Sequence, residues 1–563
     1  MIRFIISSLC FLSFAFSVDV TFSLETKYGD GGKVTSQDSD TPKIEDFIFI
    51  ENILDINTTF DNGIFVSSQL EYSDPPIFGT SIKGLNNFVI DYMGDNYSVK
   101  LGNLYSLYGR GLSLNMTQNQ NIDYDNSVSG IEFKYIWNDF NLFGVWGSSQ
   151  FDYRSNPAFI ETDLMLDNKI YFAGSEVFTN HFGSVLLSFL HQESIISNSM
   201  INQYWSKELF DVGAELAERF TFSNPLPSED DTLNTIDYSL AWNIQLMGAD
   251  IYVEKVWNNY TKIFGDTELG SKLYLSLYFD IAGTGITYEY KNYDQKYYIP
   301  TLAGAPIGFR EGSSTLASRN SHSINWGDEV GHQIELNRAI GNLNWLGNLS
   351  FAYKHVNENY DAVGFSQVLK MDNESDTYHQ YPFRQFYSEI SGYTLNDKLY
   401  FKFGIDQFDE FKIKGIYGEV IETESLSALT YPSMITLDIG GGNSITSYIE
   451  YQNRIYNGRE SDISTKSVDY VADYFSLTYN HSNFLSFSRF YEHEIYEKKL
   501  YNEIWDEGID VWRGYDITAK INSTSQFSVF YGSQKGGLVC ANGVCAEQPG
   551  FDDGIKATFR TIF

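Results

Sequence analysis

The sequence predicts an all-β chain, closed into a single large antiparallel transmembrane β-barrel of about 22–26 strands with no plug domain. Three observations lead there. Apolar and polar residues alternate along many short segments, short turns exchange regularly with long polar loops, and the composition is rich in aromatics and poor in proline. Of 563 residues, 41 are Tyr and 43 are Phe, while only 11 are Pro. Strands favour aromatic side chains and keep proline out of central positions. Mean hydropathy is −0.26, too low for a helical membrane protein. A barrel strand needs only one apolar face, so its average looks polar.

The elements follow in order. Met1-Ile2-Arg3 gives a positive start, Phe4 to Phe16 an apolar run, and Ala15-Phe16-Ser17 small residues at the spacing of a cleavage site. Residues 1–17 therefore read as a secretory signal peptide, leaving 18–563 as one barrel domain. Val18, Val20, Phe22 and Leu24 share one face of the first strand, with Asp19, Thr21, Ser23 and Glu25 on the other. With a strand so close to the cleavage point, no room is expected for a plug domain or a TonB box, unlike a TonB-dependent transporter.

Hairpins then recur. Ile50–Phe60 and Ile64–Tyr72 flank Asp61-Asn62-Gly63, a tight-turn sequence. The same unit is expected around Gly94–Asn96, Trp137–Asp139, Met247–Ala249, Gly440–Asn443, Asn480–Asn483 and Asn522–Ser525. Longer polar segments lie between: Thr26–Asp46, Gly109–Asn126, Tyr293–Val330, Asn357–Pro382 and Gly532–Asp553. Short turns on one side and long loops on the other are the signature of outer-membrane barrels. Counting them gives about 26 strands, with Phe411–Thr423 as a weak segment that also reads as an external hairpin. The last strand puts Ile555, Ala557, Phe559, Thr561 and Phe563 on one face. Phe559 and Phe563 are the expected signal for the barrel-assembly machinery.

Formal net charge is −35. Phosphate contacts need a basic surface, so nucleic-acid binding is excluded. On a barrel this acid would sit in the lumen, turns and loops, favouring cations. Cys10 belongs to the export signal. Cys540 and Cys545 remain, and an exported chain meets an oxidising compartment, so a small disulfide loop is expected, with two free thiols as the alternative. No nearby His completes a metal set.

Two segments carry candidate pore chemistry. Leu101–Leu112 sets Arg110 between Gly109 and Gly111. Arg110 reads either as a cationic point in an acidic pore or as an Arg satisfied by carboxylates or carbonyls at a bulge. Tyr298–Gly331 reads either as an inward constriction loop, with Arg310, Arg319, Asp328 and Glu329 at the pore, or as a solvated external loop. A metal site from His322, His332 and Asp328 fits no ligand spacing. The eight His are scattered with no Ser–His–Asp constellation, so no catalysis and no cofactor are expected.

Gly102-Asn103-Leu104-Tyr105 with Tyr108–Leu112, and Arg319-Asn320 with Gly327–Gln333, resemble a family of large porin-like outer-membrane β-barrel proteins of Bacteroidota-type Gram-negative bacteria. The resemblance covers these two short stretches. It implies a large barrel in the outer membrane, and no substrate or catalytic residue to carry over. The function expected is a channel for small hydrophilic solutes, embedded in outer-membrane lipid. The alternative is a surface barrel whose long loops bind glycan, protein or a partner lipoprotein.

Overall fold

The computed structural model describes residues 18–35, 43–77, 81–119, 124–152, 165–196, 231–261, 267–294, 306, 308–320, 322, 324, 329–353, 383–417, 420–459, 465–500, 503–541 and 544–563. Residues 1–17, expected to be a signal peptide, Asp328, and Asn357–Pro382, expected to be a loop, lie outside them.

One sheet of 24 strands dominates. Neighbours in sequence pair antiparallel throughout, from the strand Val18–Thr35 to the strand Gly550–Ile562. The circle closes where these two strands pair, from Ser23 opposite Ile562 to Val34 opposite Gly550. Closure removes the free edges that an open sheet would expose. Among the described residues no helix is long and apolar enough to cross a membrane.

The register assigns every strand residue to a side. Along Thr465–His481, Phe475, Leu477 and Tyr479 are exposed, whereas Tyr474 and Ser476 alternate with them and point inward. On Leu485–Leu500, Phe487, Tyr491 and Ile495 are exposed, while Glu492 and Glu494 are buried. Tyr97, Trp137, Phe182, Tyr393 and Phe484 stand exposed near the short turns. Trp146, Trp257, Tyr451 and Tyr491 are exposed farther along their strands from those turns. The outside is thus largely apolar, with exposed aromatic side chains near the short turns and along the wall.

The short turns fall where the turn residues put them. Asp61–Gly63 joins Lys43–Phe60 to Ile64–Ser73, and Ser482 turns between Thr465–His481 and Leu485–Leu500. In that last turn His481 bonds Asn443 of the neighbouring hairpin at 2.7 Å, a turn role. Within Phe411–Thr423 the described residues are the paired ends of the strands Leu399–Tyr417 and Val420–Gly440.

Two expected loops are corrected. Thr26–Thr35 and Lys43–Asp46 continue the first two strands. The polar character of this segment made it read as a loop, but its glycines are packing residues: a Cβ on Gly29 would lie 2.0 Å from Cε1 of Phe49. Gly532–Asp553 likewise contains the end of Ser525–Gln534, a small hairpin (Gly537–Ala541 with Val544–Gln548) and the start of the last strand. In the small hairpin Cys540 and Cys545 stand directly opposite each other.

Candidate functional site

Among the described residues, two loops fold into the lumen and bond to carboxylates that point inward from the strands. The first follows the strand Tyr97–Leu104. Tyr108 stacks on Phe143 and lies against Phe172, with ring centroids 4.6 and 4.7 Å away. Its hydroxyl donates to Glu132 at 2.6 Å, and the Ser106 hydroxyl donates to the other oxygen at 2.7 Å. Leu104, Leu114 and Met116 complete the apolar seat against Ile170, Leu186 and Leu190 of the wall. Lumen-facing positions are therefore apolar where this loop covers them.

Next to Tyr108 the chain turns sharply. Gly109 has φ +62° and Gly111 φ +84°, values in the left-handed region that L side chains avoid. The Arg110 backbone N–H donates to Glu254 at 2.7 Å. A Cβ on Gly109 would lie 2.6 Å from that same carboxylate oxygen, so glycine is needed for conformation and for space. Tyr252 donates its hydroxyl to Glu254 at 2.5 Å. The Arg110 guanidinium lies over the Tyr252 ring, 5.0 Å from its centroid.

The second loop enters after the strand Thr284–Asp294. Its backbone is captured first: Thr315 and Leu316 donate their N–H groups to the two oxygens of Glu450, at 2.7 and 2.9 Å. Gln452 donates to the Leu316 carbonyl at 3.2 Å. The short helical turn Ala317–Arg319 then aims Arg319 at Glu492, which it grips with both terminal nitrogens. Such fork-to-fork pairs fix geometry as well as charge. His322 stacks flat on Phe383 at 4.2 Å. One ring nitrogen meets Glu410 at 2.7 Å and the other Glu329 at 3.2 Å. Burial works against the imidazolium, but the two carboxylates outweigh it and hold the His322 pKa above its usual value.

The sequence candidates are thus distributed rather than gathered. Arg110 sits at the turn of the first loop, and Glu254 is held by its backbone N–H rather than by its guanidinium. Arg310 lies over the Tyr387 ring at 3.8 Å and bonds Ser313 at 3.0 Å. Arg319 is committed to Glu492. Glu329 opens the strand Glu329–Ile340, where it is buried and paired with Lys291 and His322. His332 projects from the outer face, where it bonds Tyr288 at 2.9 Å, so it does not converge with His322. Phe559 and Phe563 lie on the outward side of the last strand, and Phe563 stacks on Phe22 at 5.4 Å. Sequence reading missed the five anchors Glu132, Glu254, Glu410, Glu450 and Glu492. Their only signal is a carboxylate on the inward side of a strand.

A closed sheet that is apolar outside and charged inside suits lipid on one face and water on the other. This is a large outer-membrane barrel. No protein-family model matches the chain, and no curated protein matches it. Among solved structures it is similar to the siderophore receptor PirA from Pseudomonas aeruginosa, with TM-score 0.44 and 9% identity over 96% of this chain and 80% of that one. It is similar to the siderophore receptor PirA from Acinetobacter baumannii, with TM-score 0.44 and 8% identity over 97% and 80%. It is also similar to the copper transporter OprC, with TM-score 0.43 and 8% identity over 97% and 80%.

Proposed function

We propose that the barrel is a channel for small hydrophilic solutes, narrowed by its own two inward loops rather than by a separate plug domain, and that it prefers cations. The observation that carries this reading is the acid left on the inner wall after the loops are anchored. Asp55, Glu176, Glu289, Glu335, Asp510 and Asp516 alternate inward in the strand register and keep partial or full exposure. Fixed charge of one sign in a confined lumen concentrates counter-ions and excludes co-ions. The inward loops use up Glu254, Glu450 and Glu492, so conduction would draw on the wall residues and not on Arg319 or Glu329.

On this reading Phe559 and Phe563, on the closing strand, serve as the signal for the barrel-assembly machinery. The test of the channel is recording in planar bilayers under a potassium chloride gradient. The reading expects steps of conductance and a reversal potential on the potassium side. Chloride preference, or a folded barrel that never conducts, contradicts it.

A further inference from the structure

A cavity of about 440 Å³ lies between the first inward loop and the inner wall. Asn141, Ser184 and Asn243, beside the short turns, are among its lining residues, so the cavity is placed towards the turn end of the barrel. Its sides are amphipathic. Tyr108, Phe143, Leu186 and Tyr252 give it aromatic and aliphatic walls, while Arg110 and Lys134 supply the cations.

The two cations are not equivalent. Lys134 is already bonded to Glu132 at 2.7 Å. Arg110 has no carboxylate paired with its guanidinium among the described residues. It is exposed to the cavity and rests on the Tyr252 ring. Its backbone is fixed by Glu254 and by two left-handed glycines, so the cation is held in place before any ligand arrives. Preorganisation of this kind lowers the entropy cost of binding. One carboxylate, Glu176, also lines the cavity and disfavours a second negative charge on the occupant.

We propose that this cavity binds a small organic monoanion, a carboxylate carried on an apolar or aromatic body. The carboxylate would accept from the N–H edge of the Arg110 guanidinium, whose planar fork matches it, and the apolar body would lie against Phe143 and Leu186. The site goes beyond the channel reading and does not need it, since a barrel that conducts no ions holds the ligand equally well.

The experiment is a fluorine NMR titration of the full barrel in lipid nanodiscs with 4-fluorobenzoate, compared with 4-fluorobenzyl alcohol and 4-fluorobenzylamine. Saturable binding of the benzoate is expected, with the alcohol weaker by about tenfold or more and the amine unbound. R110Q is expected to lose about tenfold or more of the benzoate affinity, with R110K keeping part of it. Glu176→Gln is expected to tighten binding a few-fold. The heat-dependent gel shift of folded barrels confirms that each variant is assembled. Equal binding by R110Q, equal binding of alcohol and benzoate, or weaker binding by Glu176→Gln would each overturn the proposal, whatever the bilayer recordings show.

Discussion

The two inward loops reach the same kind of anchor, a glutamate on the lumen wall, by different chemistry. The Tyr105–Met116 segment is seated mainly by packing. Tyr108 fills a place between Phe143 and Phe172, and the donors the segment itself offers to Glu132 and Glu254 are neutral hydroxyls and backbone N–H groups. The second loop has its own apolar contacts, but its fixed points are charged: Arg319 on Glu492, and His322 between Glu410 and Glu329. A loop held by shape depends on side-chain volume and little on pH. A loop held by charge depends on every partner staying ionised, and on no partner being left alone in a buried place.

The largest effect is expected from R319A. It strands Glu492, whose side chain is only 2% exposed, and should loosen the second loop by about 3–5 kcal/mol. Hydrogen exchange at Thr315 and Leu316 reads this directly, because both amides donate to Glu450 within the loop that Arg319 fastens. Unchanged protection would mean that Glu450, not the ion pair, holds the loop. Y108F is expected to cost the first loop about 1.5–3 kcal/mol, since it removes a bond to a carboxylate while keeping the ring. If Y108F matches the wild type in exchange at residues 106–112, the seat is packing alone.

Smaller again is Gly109→Ala, at about 1–2 kcal/mol for the left-handed backbone, with displacement of Glu254 added. It is read as faster exchange of the Arg110 amide. The mildest test is pH. The folded His322 pKa is raised, so its contribution is complete below the ordinary histidine value and fades as pH rises through the folded value. Exchange, corrected for its intrinsic pH dependence, should therefore quicken in the second loop above neutral pH and stay level in the first. H322Q should abolish that difference.

How much of this was legible in the sequence depends on the range of the interaction. Asp61-Asn62-Gly63 and Asn522–Ser525 marked turns because a tight turn is decided by its own residues. The alternation on Val18–Leu24 marked a strand for the same reason. The polar run from Thr26 misled because its pairing partners, Phe49 opposite Gly29 among them, lie on the next strand. The loop anchors were out of reach: Leu316 meets Glu450 134 residues later, and Arg319 meets Glu492 173 residues later. A local pattern carries no record of such a partner. Arg110 was visible as an unusual Arg between glycines, but its neighbours Tyr252 and Glu254 were not.

Site-directed spin labelling along residues 474–479, in a chain with Cys540 and Cys545 replaced by Ser, tests the architecture most directly. Labels at 475, 477 and 479 should collide with oxygen dissolved in lipid, and labels at 474, 476 and 478 with a water-soluble nickel chelate. Accessibility that does not alternate, or that favours the chelate at all six positions, would contradict a lipid-facing wall around a wet lumen.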